Sequence, residues 1–155
     1  RLVASQKVCG SKIPVAAACF RWGRADLIPA WFRFIDCLGA PHQMLNDLMG
    51  WHKDWQHQRR TYLLSEAERR KAPSEPATAW IIGDGIDWGL SQVEGWLAEA
   101  ADAAPLANAD ALAFVDNRLA TLSDLRAKLE PGLQALQRLL AGSSPVKYPS
   151  EPSRQ

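Results

Sequence analysis

The sequence contains no uninterrupted apolar run near the roughly 18 residues that a membrane-spanning helix requires. Its first residues also lack the charged-then-apolar layout of a secretory signal. Charge of one sign is not in surplus either. Eighteen Lys and Arg against 17 Asp and Glu leave a formal net charge of +1, too little for a field that would hold nucleic acid or an anionic membrane surface. Cysteine is sparse: Cys9, Cys19 and Cys37 are odd in number and form no CxxC pair. That argues against a disulfide framework and gives the expectation of free thiols in a reducing, cytoplasmic setting. His42, His52 and His57 lack zinc-site spacing, so no metal is assigned to them. No stretch sustains the period-two alternation of strands.

What remains is helical. With 155 residues, 47% of them hydrophobic and 23% charged, the chain has enough apolar content for one folded domain with a core. Ala- and Leu-rich stretches recur at helical spacing, which predicts an all-α helical bundle. A first helical segment is interrupted by Gly10 and Pro14 and stops near Gly23. A second is expected from an Asp26 N-cap, with Pro29 in its first turn, to about Gln58, kinked at Pro41. Residues Glu66 to Pro76 read as a charged surface connection. A third long helix is expected from about Ser74–Ala77 to Ala104, weakened by Gly83, Gly85, Gly89 and Gly95. A fourth, capped by Asp110, carries an apolar stripe from Leu112 through Val115, Leu122 and Leu129 to Leu140, with Pro131 as an interruption. The domain is therefore assigned to residues 1–142, and Ser143 to Gln155, rich in proline and serine, to a disordered tail. The chain opens on Arg1 in what reads as the middle of a structured segment, so the expectation is a C-terminal portion of a longer protein.

The second helix carries the chemistry. At 100° per residue, with Asn46 as zero, Gly50 falls near 40°, Gln43 near 60°, Asp54 near 80° and Asp47 near 100°. Met44, Leu45, Leu48, Met49 and Trp55 fall on the other side as an apolar back. Such a wheel describes either an ordinary amphipathic helix with a solvated polar face or a surface of oxygen donors suited to a hard cation such as Mg2+.

The residues themselves favour the second. The stretch LGAPHQMLNDLMGWHKD, followed by RRTYLL, resembles the second metal-binding region of the class I isoprenoid synthases. There Gln precedes an Asp-Asp or Asn-Asp pair on a long helix, and the resemblance spans about residues 7–64. It implies the class I terpenoid synthase fold and an enzyme that uses Mg2+ to ionise an allylic prenyl diphosphate for chain elongation or cyclisation. Within that resemblance Asn46 and Asp54 stand at metal-ligand positions, and Gly50 stands where the family keeps a Ser, Thr or third Asp. Gln43 would line the pocket or hydrogen-bond the diphosphate, and Asp47 would orient its neighbours. Lys53, Arg60 and Tyr62 are the accompanying diphosphate-binding candidates, and Lys12 matches a diphosphate-binding Lys on an earlier helix. Such enzymes carry a first Asp-rich motif on another helix, and no Asp-rich motif precedes Gln43 here.

Among the seven tryptophans, Trp51 borders the polar face as a wall residue, while Trp22, Trp31, Trp80, Trp88 and Trp96 are assigned to packing. WHKDWQHQRR mixes aromatic and basic residues, but with near-neutral charge and no recognised motif it is not read as a nucleic-acid contact. Besides the prenyl diphosphate, a second copy of the chain stands as a candidate partner. Two alternatives accompany the enzyme: a non-catalytic subunit of the same fold, and a helical interaction domain.

Overall fold

The structure is a computed structural model that describes residues 9–142. The assignments made for the residues before Cys9 and for the tail from Ser143 lie outside the described residues. Within them every regular element is helical and none is a strand. The order is a 3-10 turn at Cys9–Ser11, α1 (Lys12–Arg21), a 3-10 turn at Ala25–Leu27, α2 (Ile28–Gln56), α3 (Tyr62–Arg70), α4 (Ala77–Trp80), a π turn (Ile81–Gly85), α5 (Ile86–Asp102), a 3-10 turn at Pro105–Ala107 and α6 (Ala109–Gly142). No described helix is long and apolar enough to cross a membrane.

Each departure from the expected boundaries has a local cause. Pro14 and Pro29 lie in the first turns of α1 and α2, where a missing N–H leaves no bond unmade. Asp26 does not cap α2; it sits in the preceding 3-10 turn and pairs with Arg24 at 3.0 Å, while Leu27 takes the cap position without a side-chain bond. Helix α2 continues through Pro41, which is buried, and ends at Gln56, before the positive φ of Gln58. Residues Glu66 to Arg70, expected in a connection, complete α3. Thr61 caps that helix by accepting from the Leu64 amide at 3.3 Å, and Glu66 pairs with Arg69 and Arg70 one turn on. The side chain that caps α6 is Asn108, not Asp110: its Oδ1 accepts from the Ala111 amide at 2.9 Å. Pro131 lies inside α6, which continues past it.

The core forms where α2 crosses α5. Met44 and Leu48 of α2 meet Leu90, Val93 and Leu97 of α5, with Leu63 and Ala67 of α3, Ile81 of the π turn, and Val115 and Leu122 of α6 closing around them. Burying each such Leu, Ile, Val or Met side chain contributes roughly 1.5–3 kcal/mol. Two glycines of the 83–95 stretch, Gly85 and Gly89, are fitted to packing, while a side chain at Gly83 or Gly95 would meet open space. A Cβ on Gly89 would lie 2.8 Å from Cδ2 of Leu48, so the absent side chain is what lets α2 and α5 approach. At Gly85 a Cβ would lie 2.7 Å from the Trp80 ring, which folds over the widened π turn. That turn frees carbonyls from the helical ladder, and Gln137 Nε2 donates to that of Gly83 at 2.7 Å.

Helix α6 runs back antiparallel to α5, with Arg126 paired to Asp87 and Gln137 reaching the π turn. Its 34 residues, about 51 Å at 1.5 Å per residue, outrun the 17 of α5. The stripe is packed against the core as far as Leu129, and beyond it Leu136 and Leu139 are exposed. Trp22, assigned to packing, is 71% exposed, because it follows the last residue of α1 and no described element covers it. Trp31, Trp80, Trp88 and Trp96 do pack into or against the core.

Gly89→Ala tests the α2–α5 crossing. Overpacking against Leu48 should outweigh the gain in helix propensity and cost about 1–2 kcal/mol in urea denaturation. In that background Leu48→Ala should cost measurably less than it does alone. Additive losses would mean that the crossing does not depend on this contact.

Candidate functional site

The five polar positions of α2 do not act as one face. The packing seam of the helix runs through Met44 and Leu48, and Asp47, next to Met44 around the wheel, is drawn into it and is only 3% exposed. Asn46, on the far side of the seam, is exposed, and Gln43 and Gly50 lie between. The apolar back is likewise incomplete. Met49 is 70% exposed on the outer side of α2, and Trp55, in line with the seam but in the last turn of the helix, is 50% exposed.

Asp47 is the one buried charged side chain among the described residues, and its oxygens are in use. Oδ1 accepts from Gln43 Nε2 at 2.7 Å, one turn earlier on the same helix. Oδ2 accepts from the backbone amides of Tyr62 at 3.0 Å and Leu63 at 3.4 Å, the first two residues of α3. The first amides of a helix have no intrahelical partner and carry the positive end of its dipole, so a carboxylate there is stabilised by both effects. Asp47 and Gln43 thus form a structural pair that holds α3 on α2. Tyr62 joins this network through its backbone. Its ring packs toward α5, with centroids 6.0 Å from Trp88 and 6.3 Å from Trp96.

Asp54, two turns beyond Asn46, keeps a partly exposed carboxylate. Its Oδ2 lies 3.6 Å from where a Cβ on Gly50 would stand, so the carboxylate leans back along the helix over the position that lacks a side chain. Its Oδ1 is 3.4 Å from Arg59 Nη1, in the turn that follows α2. The residues fit a hard cation in part. Asn46 and Asp54 offer two oxygen-bearing groups about 12 Å apart along the helix axis, with Gly50 open between them. No group of three or more His, Cys, Asp or Glu among the described residues is arranged to hold a metal ion.

The basic candidates separate. Lys12 is committed elsewhere: its Nζ meets Asp36 at 2.7 Å and lies 5.2 Å from the centre of the Phe32 ring. Asp36 precedes Asn46 by ten residues, about 15 Å along α2, so this lysine is not joined to the polar face. Lys53 is exposed. Arg60 is exposed too and lines, with Arg59, Trp55 and Glu68, a hollow of about 390 Å3 just past the end of α2. Arg69 and Arg70 bind Glu66, whose carboxyl is held below the usual range chiefly by the hydrogen bond from Arg69. Trp51, expected as a wall, is half-buried against the core with its ring edge-on to His52.

The sequence reading missed a second concavity. A cavity of about 330 Å3 lies where α2, α5 and α6 meet, walled by side chains such as Leu38, Leu45, Leu97 and Leu122, with Phe114 and Arg118 of α6 on its lining. The signal was present as the four-residue spacing of Phe114 and Arg118, which stacks a guanidinium on a ring at 5.0 Å. It was hidden because a stripe at helical spacing reads as core.

Removing the Asp47 carboxylate strands the buried Leu63 amide and the part-buried Tyr62 amide at roughly 1–3 kcal/mol each, so Asp47→Ala should cost about 2–4 kcal/mol and Asp47→Asn, which keeps one acceptor, less. Urea denaturation gives the magnitudes, and hydrogen exchange should show α3 amides losing protection first. An Asp47→Ala variant as stable as the parent would deny the carboxylate this role. No family model, no curated protein and no solved structure matches this chain.

Proposed function

We propose that this chain supplies one wall of a Mg2+–diphosphate site in an enzyme similar to the class I isoprenoid synthases, acting on an allylic prenyl diphosphate for elongation or cyclisation. The observation that carries the reading is the lean of the Asp54 carboxylate over Gly50, toward Asn46. It brings an oxygen back toward the gap left by the missing side chain, where an ion held by both residues would sit.

In this reading Asn46 and Asp54 are the Mg2+ ligands. Bound there, Mg2+ supplies positive charge to the diphosphate oxygens as the carbon–oxygen bond breaks. Lys53 and Arg60, just beyond, hold the leaving diphosphate. Gln43 and Asp47 are positioning residues, since their bonds to each other and to the start of α3 set the rotation of α2 on its neighbours. Tyr62 contributes as part of that junction. Lys12, bound to Asp36, is given no role.

A second reading, a non-catalytic helical subunit, is favoured by one contact: Arg59 already offers Asp54 a cation at 3.4 Å. Inorganic pyrophosphate titrated into the protein by calorimetry, with and without Mg2+, separates the two. The enzyme-wall reading expects Mg2+-dependent binding that weakens about tenfold or more, some 1.4 kcal/mol, in Asn46→Ala and in Asp54→Asn. Binding indifferent to Mg2+ and to both substitutions would support the subunit. Because the chain supplies a single wall, no release of diphosphate from geranyl or farnesyl diphosphate is expected from it alone. Release that Asn46→Ala abolishes would overturn that part.

A further inference from the structure

The cavity between α2, α5 and α6 has a composition that specifies a ligand. Its walls are aliphatic and aromatic, and its volume of about 330 Å3 lies within the range of small-molecule sites. One charged side chain, Arg118, is on the lining, and no carboxylate is. None of the ion pairs found among the described residues involves Arg118; its guanidinium instead lies over the Phe114 ring, 5.0 Å from the centroid. That stacking holds a planar fork of donors on an otherwise mainly apolar lining, to which Thr121 and His42 also contribute.

From this geometry we infer that the cavity binds a medium-chain fatty carboxylate, its chain inside and its head on Arg118. An apolar chain satisfies walls that offer few hydrogen-bonding groups. A carboxylate matches one guanidinium in both charge and bidentate shape, whereas a diphosphate would leave most of its charge unmet here. At roughly 30 Å3 per water-sized group, the chamber accommodates on the order of ten such groups, about the length of decanoate. The site uses none of Asn46, Asp54, Lys53 or Arg60 and needs no Mg2+, so it does not rest on the function proposed above.

Titration of the whole chain with decanoate, decan-1-ol and geranyl diphosphate, each without Mg2+ and followed by calorimetry and amide chemical shifts, tests this. Decanoate should bind saturably, one per chain, with shifts centred on Leu38, Leu45 and Phe114. Arg118→Gln, an exposed position, should weaken decanoate about tenfold while leaving decan-1-ol within about twofold, and Asn46→Ala should change neither. Leu45→Trp, which fills the chamber, should abolish both. The inference is overturned if decanoate does not saturate, if Arg118→Gln leaves its affinity unchanged, or if geranyl diphosphate displaces it at lower concentration.

Discussion

The carboxylate of Asp47 is the contact on which the arrangement of the other helices depends. It is charged, buried and placed on the most tightly packed face of α2, where an unpaired charge would be strongly unfavourable. Its stability there comes from Gln43 on one oxygen and the opening amides of α3 on the other. Helix α3 is nine residues long, too short to be stable alone in water. Fixed at its start by Asp47 and Thr61, it presents Leu63 and Ala67 to the core, both fully buried. The crossing of α2 on α5 then lies beside this anchor, with Leu48 filling the space above Gly89.

This dependence separates two kinds of polar residue on one helix. Asp47 and Gln43 stand within five residues of each other and are spent on structure. Asn46 and Asp54 stay at the surface, where a ligand can reach them, and Arg59 competes for Asp54. Whether the same helix also serves chemistry is then a matter of what approaches the outer face, while the inner face is already engaged. The cavity farther toward the start of α2 is of a different character, apolar and marked by a single cation on α6.

Much of the fold was legible because helices write themselves in local periodicity. The all-α class, the extent of α2 and the single stretch from Ala77 to Asp102 follow from spacing of apolar residues and from prolines placed in first turns. The extension of α3 over Glu66 to Arg70 was not, because a charged, glutamate- and arginine-rich segment before two prolines looks like a loop until its ion pairs one turn apart are in place. Nor was the π turn, which depends on the Trp80 ring lying against Gly85.

For the candidate site, sequence by itself determined which oxygen- and nitrogen-bearing residues share the helix and at what angles, since 100° per residue needs no partner to compute. It also determined that Gly50 brings no side chain to the middle of that face. Only the tertiary structure decided where the packing seam falls. Rotating a helix by a few tens of degrees on its neighbours exchanges solvent for core, and that rotation is set by what packs against it: the amides of α3 and the notch at Gly89. Those contacts bury Asp47 and leave Asn46 outside, and the packing of α1 on α2 separately ties Lys12 to Asp36. The cavity faced by Arg118 is likewise a product of three helices meeting, and no single segment of the chain encodes it.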